Sequence, residues 1–194
     1  MQKRSMWSFG TREVVFAAIG AALYGVLSAL TNALQIPGAA NVAVRPAVSI
    51  VFFFGLAFGP IVGFITGMLG NIIGDLLSGY GFWIWWDIGN GLMGLVAGLF
   101  YPYMTTYRAA RDLILGEIAV VLGAAVGMFF ASLTEIWVSG IDFATTMVQN
   151  FMPSFINNMV NGLILTPILM IAYSAVVARS GRGQAGESVW ETTR

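Results

Sequence analysis

The sequence contains no cysteine and no histidine, and only 9% of its 194 residues are charged. The first two absences exclude disulfides, thiolate nucleophiles, imidazole bases and the most common protein ligands of zinc. The scarcity of charge excludes an ordinary soluble domain, in which about 25% of residues are charged. The sequence also lacks a phosphate-binding Gly-rich loop ending in Lys-Ser or Lys-Thr, the motif that binds nucleotide phosphates in many ATPases. We expect no catalytic residues, no metal, no cofactor and no nucleic-acid partner.

Hydrophobic residues make up 58% of the chain, and its mean hydropathy is +0.81. With spans of about 20 residues each, this length accommodates about six transmembrane helices and leaves no room for a soluble catalytic domain. The first apolar stretch has no evident small-residue cleavage site, so we interpret it as a retained span and not as a signal peptide. Apolar windows lie at about 13–35, 47–59, 60–79, 88–107, 113–138 and 153–178.

The sequence therefore predicts an all-α integral membrane bundle of six transmembrane helices, with both termini cytoplasmic. Its regions are a cytoplasmic N-terminal segment (1–12), a six-helix transmembrane domain (13–178) and a cytoplasmic tail (179–194). Because the tail is polar and rich in glycine, we expect it to be disordered.

The second window is short for a membrane span. As a helix it rises only about 20 Å, less than the roughly 30 Å of the hydrocarbon core. We expect the second and third helices to dip into the membrane and turn at Phe58-Gly59-Pro60, with neighbours shielding their flanks. The alternative is one long kinked unit, which would leave five spans.

The basic residues favour six spans. Lys and Arg collect in cytoplasmic loops, and a six-span topology places every basic cluster beside a span end on one side. Those clusters comprise Lys3, Arg4, Arg12, Arg108, Arg111, Arg179 and Arg182. With five spans, the last cluster would face the other side.

Small residues recur every four positions in several spans. The longest stripe lies in the first span and comprises Ala17, Ala21, Gly25 and Ala29, with Ala18 and Ala22 beside it. Flat stripes of this kind let helix backbones approach closely in a membrane. For the first span, internal packing and docking to a partner protein are equally good interpretations. For two further sets, Gly55, Gly59, Gly63 and Gly67, and Gly123 with Gly127, internal packing is favoured.

Polar side chains in the spans and at their ends form the second pattern. A charged group near the bilayer is costly unless it is paired or hydrated, so each is a candidate functional residue. Several of these residues share a helix face at three- or four-residue spacing, and an aromatic stretch lies among them. In the predicted topology all fall in the outer half of the bundle, over an apolar inner half, as expected of a closed binding cup. The candidate binding residues are Arg45, Asn71, Asp75, Trp83, Trp85, Trp86, Asp87, Asn90, Glu135, Asn157, Asn158 and Asn161.

Each of these features also has a purely structural interpretation. The tryptophans, with Tyr80 and Phe82, could form an interfacial belt, and Asp87 could cap the fourth span. Arg45 could reach lipid headgroups or pair with Asp75 or Asp87. The span-six asparagines could simply join helices by hydrogen bonds.

Four sequence stretches carry a family resemblance. The motifs "VRPAVSI", "FGPIVGFITGMLGNIIGDLLSG", "WDIGNGLMGLVAGL" and "NGLILTPILM" lie in an alanine-rich chain. Over about residues 10–178 this pattern resembles the substrate-binding membrane subunit, or S component, of energy-coupling-factor (ECF) vitamin transporters, a type of ABC importer.

The resemblance implies a six-helix protein of a prokaryotic cell membrane that captures a small water-soluble vitamin or precursor from outside. It implies two further partners, a transmembrane coupling subunit and a pair of ABC ATPases. It also implies that the loop at about Gln35 to Arg45 acts as a lid, and that the first helix docks to the coupling subunit through its small residues. The docking residues would be Ala17, Ala18, Ala21, Ala22 and Gly25.

Other functions are compatible with the same residues. Asp75 and Asp87 could serve as paired carboxylates of an intramembrane enzyme, although no histidine base supports them. The chain could also be a small membrane scaffold subunit without a ligand. An independent secondary transporter is less favoured, because the chain shows no convincing inverted repeat.

Overall fold

The computed structural model is all-α over the residues that it describes, which are 5–34 and 43–191, the stretch 179–191 by its backbone alone. The helices are α1 (Thr11–Thr31), α2 (Val48–Phe58), α3 (Pro60–Leu77), α4 (Ile84–Gly98), α5 (Ala110–Val138), α6 (Phe143–Thr146) and α7 (Met152–Glu191). A π-helical turn, Met147–Phe151, joins α6 to α7, and a 3-10 turn, Tyr101–Tyr103, follows α4.

Within that described part of the chain, four helical stretches are long and apolar enough to cross a membrane. They are α1, α3, α5 and the continuous stretch Phe143–Ala178, which includes α6. The remaining main helices are shorter, with 11 residues in α2 and 15 in α4. Each predicted apolar window thus corresponds to a helix, although two of these are shorter than a full span.

Helix α2 lies at the centre of the bundle. Every residue of α2 except Phe58 is buried, and the helix contacts α1, α3, α4, α5 and α7. A helix that is apolar on all sides is stable only when neighbours surround it. The expectation that neighbours shield this short helix is therefore confirmed.

The chain reverses direction between α2 and α3. Gly59 adopts a positive φ of 103°, which glycine reaches without steric cost, and Pro60 begins α3 with a fixed φ suited to a first helical turn. A Cβ placed on Gly63 would lie 2.8 Å from the Cα atom of Gly55, so the two helices run side by side. The predicted turn is confirmed, and the alternative of one long kinked helix is excluded.

Glycines bring α3, α4 and α5 into backbone contact. A Cβ on Gly63 would lie 2.2 Å from the carbonyl oxygen of Gly94, and one on Gly67 would lie 2.1 Å from that of Asn90. On the other side of α4, a Cβ on Gly127 would lie 2.3 Å from the carbonyl oxygen of Gly89. Internal packing is therefore the role of these glycine sets.

The small-residue stripe of α1 divides into two parts. Ala17, Ala21 and Gly25 are buried, and a Cβ on Gly25 would lie 2.9 Å from the carbonyl oxygen of Gly70 in α3. These three residues pack inside the bundle, which corrects their assignment to a docking surface. Ala18 and Ala22 are exposed on the outer face of α1.

Helix α4 ends at Gly98, earlier than the predicted residue 107. Pro102 follows in the 3-10 turn and lacks the N–H group that a continuing helix needs. Beyond it, the buried carboxylate of Asp112 accepts backbone N–H groups of Thr105, Thr106 and Tyr107 at 3.0, 2.6 and 2.9 Å. These hydrogen bonds hold the connection to α5 in a fixed loop.

The last helix extends into the segment that was expected to form the tail. The backbone of α7 continues to Glu191, whereas the composition of residues 179–194 predicts disorder. Pro167 is the proline inside α7, and no proline follows it in the sequence to end the helix.

The glycine contacts generate a stability prediction. We expect Gly63→Ala to destabilise the protein by about 1–3 kcal/mol, because the added methyl group has no space against the α4 backbone. The matched control is Ala22→Val, which adds methyl groups on the exposed face of α1. Thermal unfolding of the detergent-solubilised variants measures both changes. Equal melting temperatures for Gly63→Ala and wild type would contradict the close packing of α3 and α4.

Candidate functional site

A cavity of about 380 Å³ lies at one end of the bundle. At this end α3 and α5 finish and α2, α4 and α6 begin. The wall of the cavity therefore combines short segments that are far apart in the sequence. The lining residues are Ala43, Arg45, Asn71, Asp75, Tyr80, Trp83, Trp86, Asn90, Met128, Glu135, Ser139, Ile141, Asn150, Ser154, Asn157 and Asn158.

Asn71 is the centre of the polar network on the α3 side. Its Nδ2 atom donates to Asp75 Oδ2 at 2.9 Å, one turn further along α3, and to Asp87 Oδ1 of α4 at 2.8 Å. A single amide thus bridges two carboxylates that would otherwise repel each other. This arrangement also ties the end of α3 to the beginning of α4.

Arg45 completes the network from the segment before α2. Its Nη1 atom donates to Asn71 Oδ1 at 2.6 Å, and its Nη2 atom lies 3.6 Å from Asp75 Oδ1. Nη2 also donates to Asn32 Oδ1 at 3.2 Å. Of the structural alternatives for Arg45, the pairing with Asp75 is the one that the structure shows, and the guanidinium charge is compensated within the protein.

A second polar group joins α4 to α5. Trp86 Nε1 donates to Glu135 Oε1 at 2.6 Å, and the Ser139 hydroxyl donates to Glu135 Oε2. Both carboxylate oxygens therefore accept hydrogen bonds from neutral donors. The Glu135 side chain is buried at the cavity wall, with 9% of its surface exposed.

Tyr24 supports the same wall from α1. Its hydroxyl donates to Asn90 Oδ1 at 2.7 Å, while Asn90 Nδ2 donates to the carbonyl oxygen of Trp86 at 2.9 Å. The tyrosine is fully buried. These bonds fix the orientation of the Asn90 amide, which lines the cavity.

The remaining wall comes from the π-helical turn and α7. Four polar side chains face the cavity along this stretch, namely Asn150, Ser154, Asn157 and Asn158. Asn157 Nδ2 donates to the carbonyl oxygen of Ala43 at 2.9 Å, which joins α7 to the segment before α2. Residues 35–42 of the predicted lid lie outside the described residues.

Asp142 lies where the chain enters α6. It caps this helix by accepting the Thr145 N–H group at 3.1 Å. Hydrogen bonds from the side chain and backbone of Thr145 lower the pKa of its carboxyl.

An apolar, tightly packed layer lies next to Asn158. Phe52, Met93 and Val120 have no exposed surface, and Asn158 Nδ2 contacts Met93 Sδ at 3.7 Å. A Cβ on Gly162 would lie 2.6 Å from a methyl group of Val120, so this layer leaves no room for a side chain there. The polar groups of the α7 wall therefore border a packed apolar layer.

Most of the candidate binding residues come together in the structure. The nine that line the cavity are Arg45, Asn71, Asp75, Trp83, Trp86, Asn90, Glu135, Asn157 and Asn158. The other three, Trp85, Asp87 and Asn161, lie outside it. Trp85 packs beside Phe130, with ring centroids 6.4 Å apart, and Asn161 donates to Asn157 of its own helix.

Asp87 is fully buried behind Asn71. Trp83 occupies the capping position of α4, and Asp87 belongs to the first turn of that helix. The alternative role of Asp87 as the helix cap is therefore wrong. Its side chain serves the network with Asn71.

Seven lining residues were missed by the sequence reasoning: Ala43, Tyr80, Met128, Ser139, Ile141, Asn150 and Ser154. Two of these had a sequence signal. Continuing the stripe of Asn157 and Asn161 towards the N-terminus at helical spacing reaches Ser154 and Asn150. Tyr80 was assigned to the aromatic stretch but not to the candidate binding residues, whereas Met128 and Ile141 look like ordinary core residues.

Comparison with known proteins gives a consistent family assignment. The profile described as "ECF-type riboflavin transporter, S component" matches residues 8–175. A UPF0397 protein of Vibrio atlanticus (strain LGP32) is 43% identical over 101 residues, which are 52% of this chain and 54% of that protein. A UPF0397 protein of Aliivibrio fischeri (strain MJ11) is 39% identical over 106 residues, 55% of this chain and 56% of that protein.

The alignments with these two relatives thus span about half of their length. A UPF0397 protein of Streptococcus pneumoniae (strain CGSP14) aligns more widely, at 29% identity over 180 residues, 89% of this chain and 95% of that protein. Because the family profile covers most of the sequence, the chain belongs to the family of S components of ECF-type riboflavin transporters, which are substrate-binding membrane subunits and not enzymes.

Proposed function

We propose that this chain captures a small water-soluble vitamin or vitamin precursor from outside a prokaryotic cell. It delivers this ligand when docked to a transmembrane coupling subunit that works with a pair of ABC ATPases. The observation that carries the proposal is the cavity, in which hydrogen-bonding side chains converge from four helices next to a packed apolar layer. Family membership and several long apolar helices make the chain a multi-pass membrane protein.

The distribution of polar groups favours binding over conduction or catalysis. A channel needs polar groups along its length, whereas the buried layer next to Asn158 contains the apolar residues Phe52, Met93 and Val120. An enzyme using Asp75 and Asp87 would need both carboxylates to face its substrate. Asp87 has no exposed surface and lies behind Asn71, so of these two carboxylates Asp75 alone lines the cavity.

The size of the cavity limits the ligand. A volume of about 380 Å³ is near the lower end of the roughly 300–1,000 Å³ typical of small-molecule sites. It favours ligands of one to three rings, such as riboflavin, thiamine-like or nucleobase-like compounds, over a cobalamin-like macrocycle. The aromatic residues Tyr80, Trp83 and Trp86 provide surfaces on which such rings can stack.

Two tryptophans on α4 provide a matched test of the site. Trp86 lines the cavity and donates to Glu135, whereas Trp85 packs against Phe130 outside it. We expect Trp86→Phe to weaken ligand binding about tenfold or more, which corresponds to roughly 1.4 kcal/mol. Trp85→Phe should change the affinity less than about threefold, or roughly 0.6 kcal/mol.

The measurement is a titration of the purified protein with a panel of water-soluble vitamins and precursors, followed by tryptophan fluorescence and isothermal calorimetry. Protein freed of any co-purifying small molecule is used, and that molecule, identified by mass spectrometry, joins the panel. The absence of saturable binding by any compound would refute the proposed function. Equal losses in both tryptophan variants would place the ligand elsewhere.

The distribution of basic residues supports an orientation with the cavity outside. Arg12, Arg108 and Arg111 are exposed at the end of the bundle opposite the cavity. Basic residues concentrate on the cytoplasmic side of membrane proteins. We therefore propose that the cavity opens to the exterior and that both termini are cytoplasmic.

The natural absence of cysteine makes this orientation directly measurable. We expect a cysteine at exposed Phe82, between α3 and α4, to react with a membrane-impermeant maleimide in intact cells. A cysteine at exposed Tyr103, in the loop after α4, should react only after permeabilisation. The reverse labelling pattern would turn the cavity towards the cytoplasm and contradict capture from outside.

The exposed part of the α1 stripe is the proposed docking surface for the coupling subunit. Ala18 and Ala22 lie one helical turn apart, and their small side chains leave a shallow strip between larger exposed residues such as Ile19 and Val26. Small side chains permit the close helix contacts that membrane partners use. On the side of α1 that faces the bundle, Ala17, Ala21 and Gly25 are buried.

Enlarging the strip should separate binding from transport. We expect the double variant Ala18→Leu with Ala22→Leu to retain ligand affinity and to lose most ATP-dependent uptake in vesicles that contain the partner subunits. Ala172→Leu, on the exposed face of α7, is the control and should transport normally. Unimpaired uptake by the double variant would exclude this surface as the docking site.

A further inference from the structure

We propose that the ligand of this cavity carries a positive charge, and that Glu135 is the residue that selects it. The inference rests on the proposed function and specifies its substrate class as a cationic or protonated amino-substituted heteroaromatic compound. Three features of the cavity lead to it. Arg45 is already paired within the protein, Glu135 accepts hydrogen bonds from neutral donors only, and part of the cavity wall is aromatic.

Arg45 is already committed to the protein. It donates to two asparagine side chains and lies 3.6 Å from the Asp75 carboxylate. An anionic ligand would have to compete with Asp75 for this guanidinium, and would also lie in a cavity that Asp75 and Glu135 both line. The arginine therefore holds the network together and does not leave an uncompensated positive charge for a ligand.

Glu135, in contrast to Arg45, makes its hydrogen bonds with uncharged groups. Its two oxygens accept hydrogen bonds from Trp86 and Ser139, which are neutral donors. Among the side chains that the structure describes, the basic residues are Arg12, Arg45, Arg108 and Arg111. Of these residues, Arg45 forms an ion pair with Asp75, and Arg111 forms one with Asp112.

The carboxylate of Glu135 is thus hydrogen-bonded without a cationic partner from the described chain. A buried carboxylate is costly when no opposite charge compensates it. A ligand cation would supply that charge at the cavity wall. A neutral ligand would bury Glu135 further and leave the cost in place.

The aromatic wall supports the same ligand chemistry. Tyr80, Trp83 and Trp86 line the cavity that Glu135 also lines. The faces of indole and phenol rings attract cations, and recognition of quaternary ammonium groups commonly uses such walls. A flat cationic heterocycle can therefore stack on the tryptophans and present its charge to Glu135.

The charges surrounding the cavity act in the same direction. Asp75, Asp87 and Glu135 contribute three carboxylates to the cavity and the layer behind it, against the single guanidinium of Arg45. An excess of negative charge in an enclosed site raises the local concentration of cations and lowers that of anions.

The decisive experiment compares ligands of different charge on wild type and Glu135→Gln. The panel pairs two cations, thiamine and pyridoxamine, with two neutral compounds, riboflavin and pyridoxine, and two anions, biotin and 4-pyridoxic acid. Pyridoxamine, pyridoxine and 4-pyridoxic acid share one ring and differ in a single substituent. Any ligand that co-purifies with the protein is added to the group that matches its charge.

We expect wild type to bind the cations at least tenfold more tightly than the neutral or anionic compounds. Glu135→Gln should weaken cation binding at least tenfold and change the binding of neutral compounds less than threefold, since glutamine keeps the shape and an acceptor for Trp86. Glu117→Gln is the control, because it makes the same change on α5 about 27 Å away along the helix. Its affinities should equal those of wild type.

The outcomes separate the two proposals. Tighter binding of a neutral or anionic compound by wild type, or an equal loss for every charge class in Glu135→Gln, would overturn the selection of cations and leave the proposed function intact. Wild type that binds neither these compounds nor any compound of the wider vitamin panel would overturn both. If Glu135→Gln does not fold, the order of affinities in wild type alone decides the inference.

Discussion

The contact between the backbones of α3 and α4 is the constraint on which the site depends. Gly63 and Gly67 face the carbonyl oxygens of Gly94 and Asn90 so closely that no side chain fits between the helices. Lipid provides no hydrophobic force that joins helices, and close packing of this kind replaces it. Only at this separation can the Asn71 amide reach Asp87 across the interface. The glycine spacing of α3 therefore determines the geometry of the polar network as well as the stability of the bundle.

The charged side chains that line the cavity divide into a compensated and an uncompensated set. Arg45, Asn71 and Asp75 satisfy one another, so this part of the wall is formed before any ligand arrives. Glu135 is oriented by Trp86 but not neutralised by it. A preformed wall reduces the entropy that a ligand must lose to bind, while the remaining carboxylate gives the site a preference among ligands.

The sequence predicts much of this molecule because bilayer constraints are strong and local. Apolar windows identify the helices, Gly59-Pro60 identifies the turn, and scarce polar residues identify most of the cavity wall. Features that depend on three-dimensional neighbours were not predictable. The bonding of Tyr24 to Asn90 joins positions 66 residues apart, and the buried side of the α1 stripe depends on where α3 lies. The early end of α4 reflects the loop that Asp112 organises.

The π-helical turn at Met147–Phe151 forms part of the cavity mouth. A π turn accommodates one residue more than an α turn and is wider, and Asn150 of this turn lines the cavity together with Ser154 of α7. Val148 and Ile156 are exposed on the other side of the same stretch. One stretch of backbone therefore presents amide and hydroxyl groups to a bound molecule and aliphatic groups to the surrounding lipid.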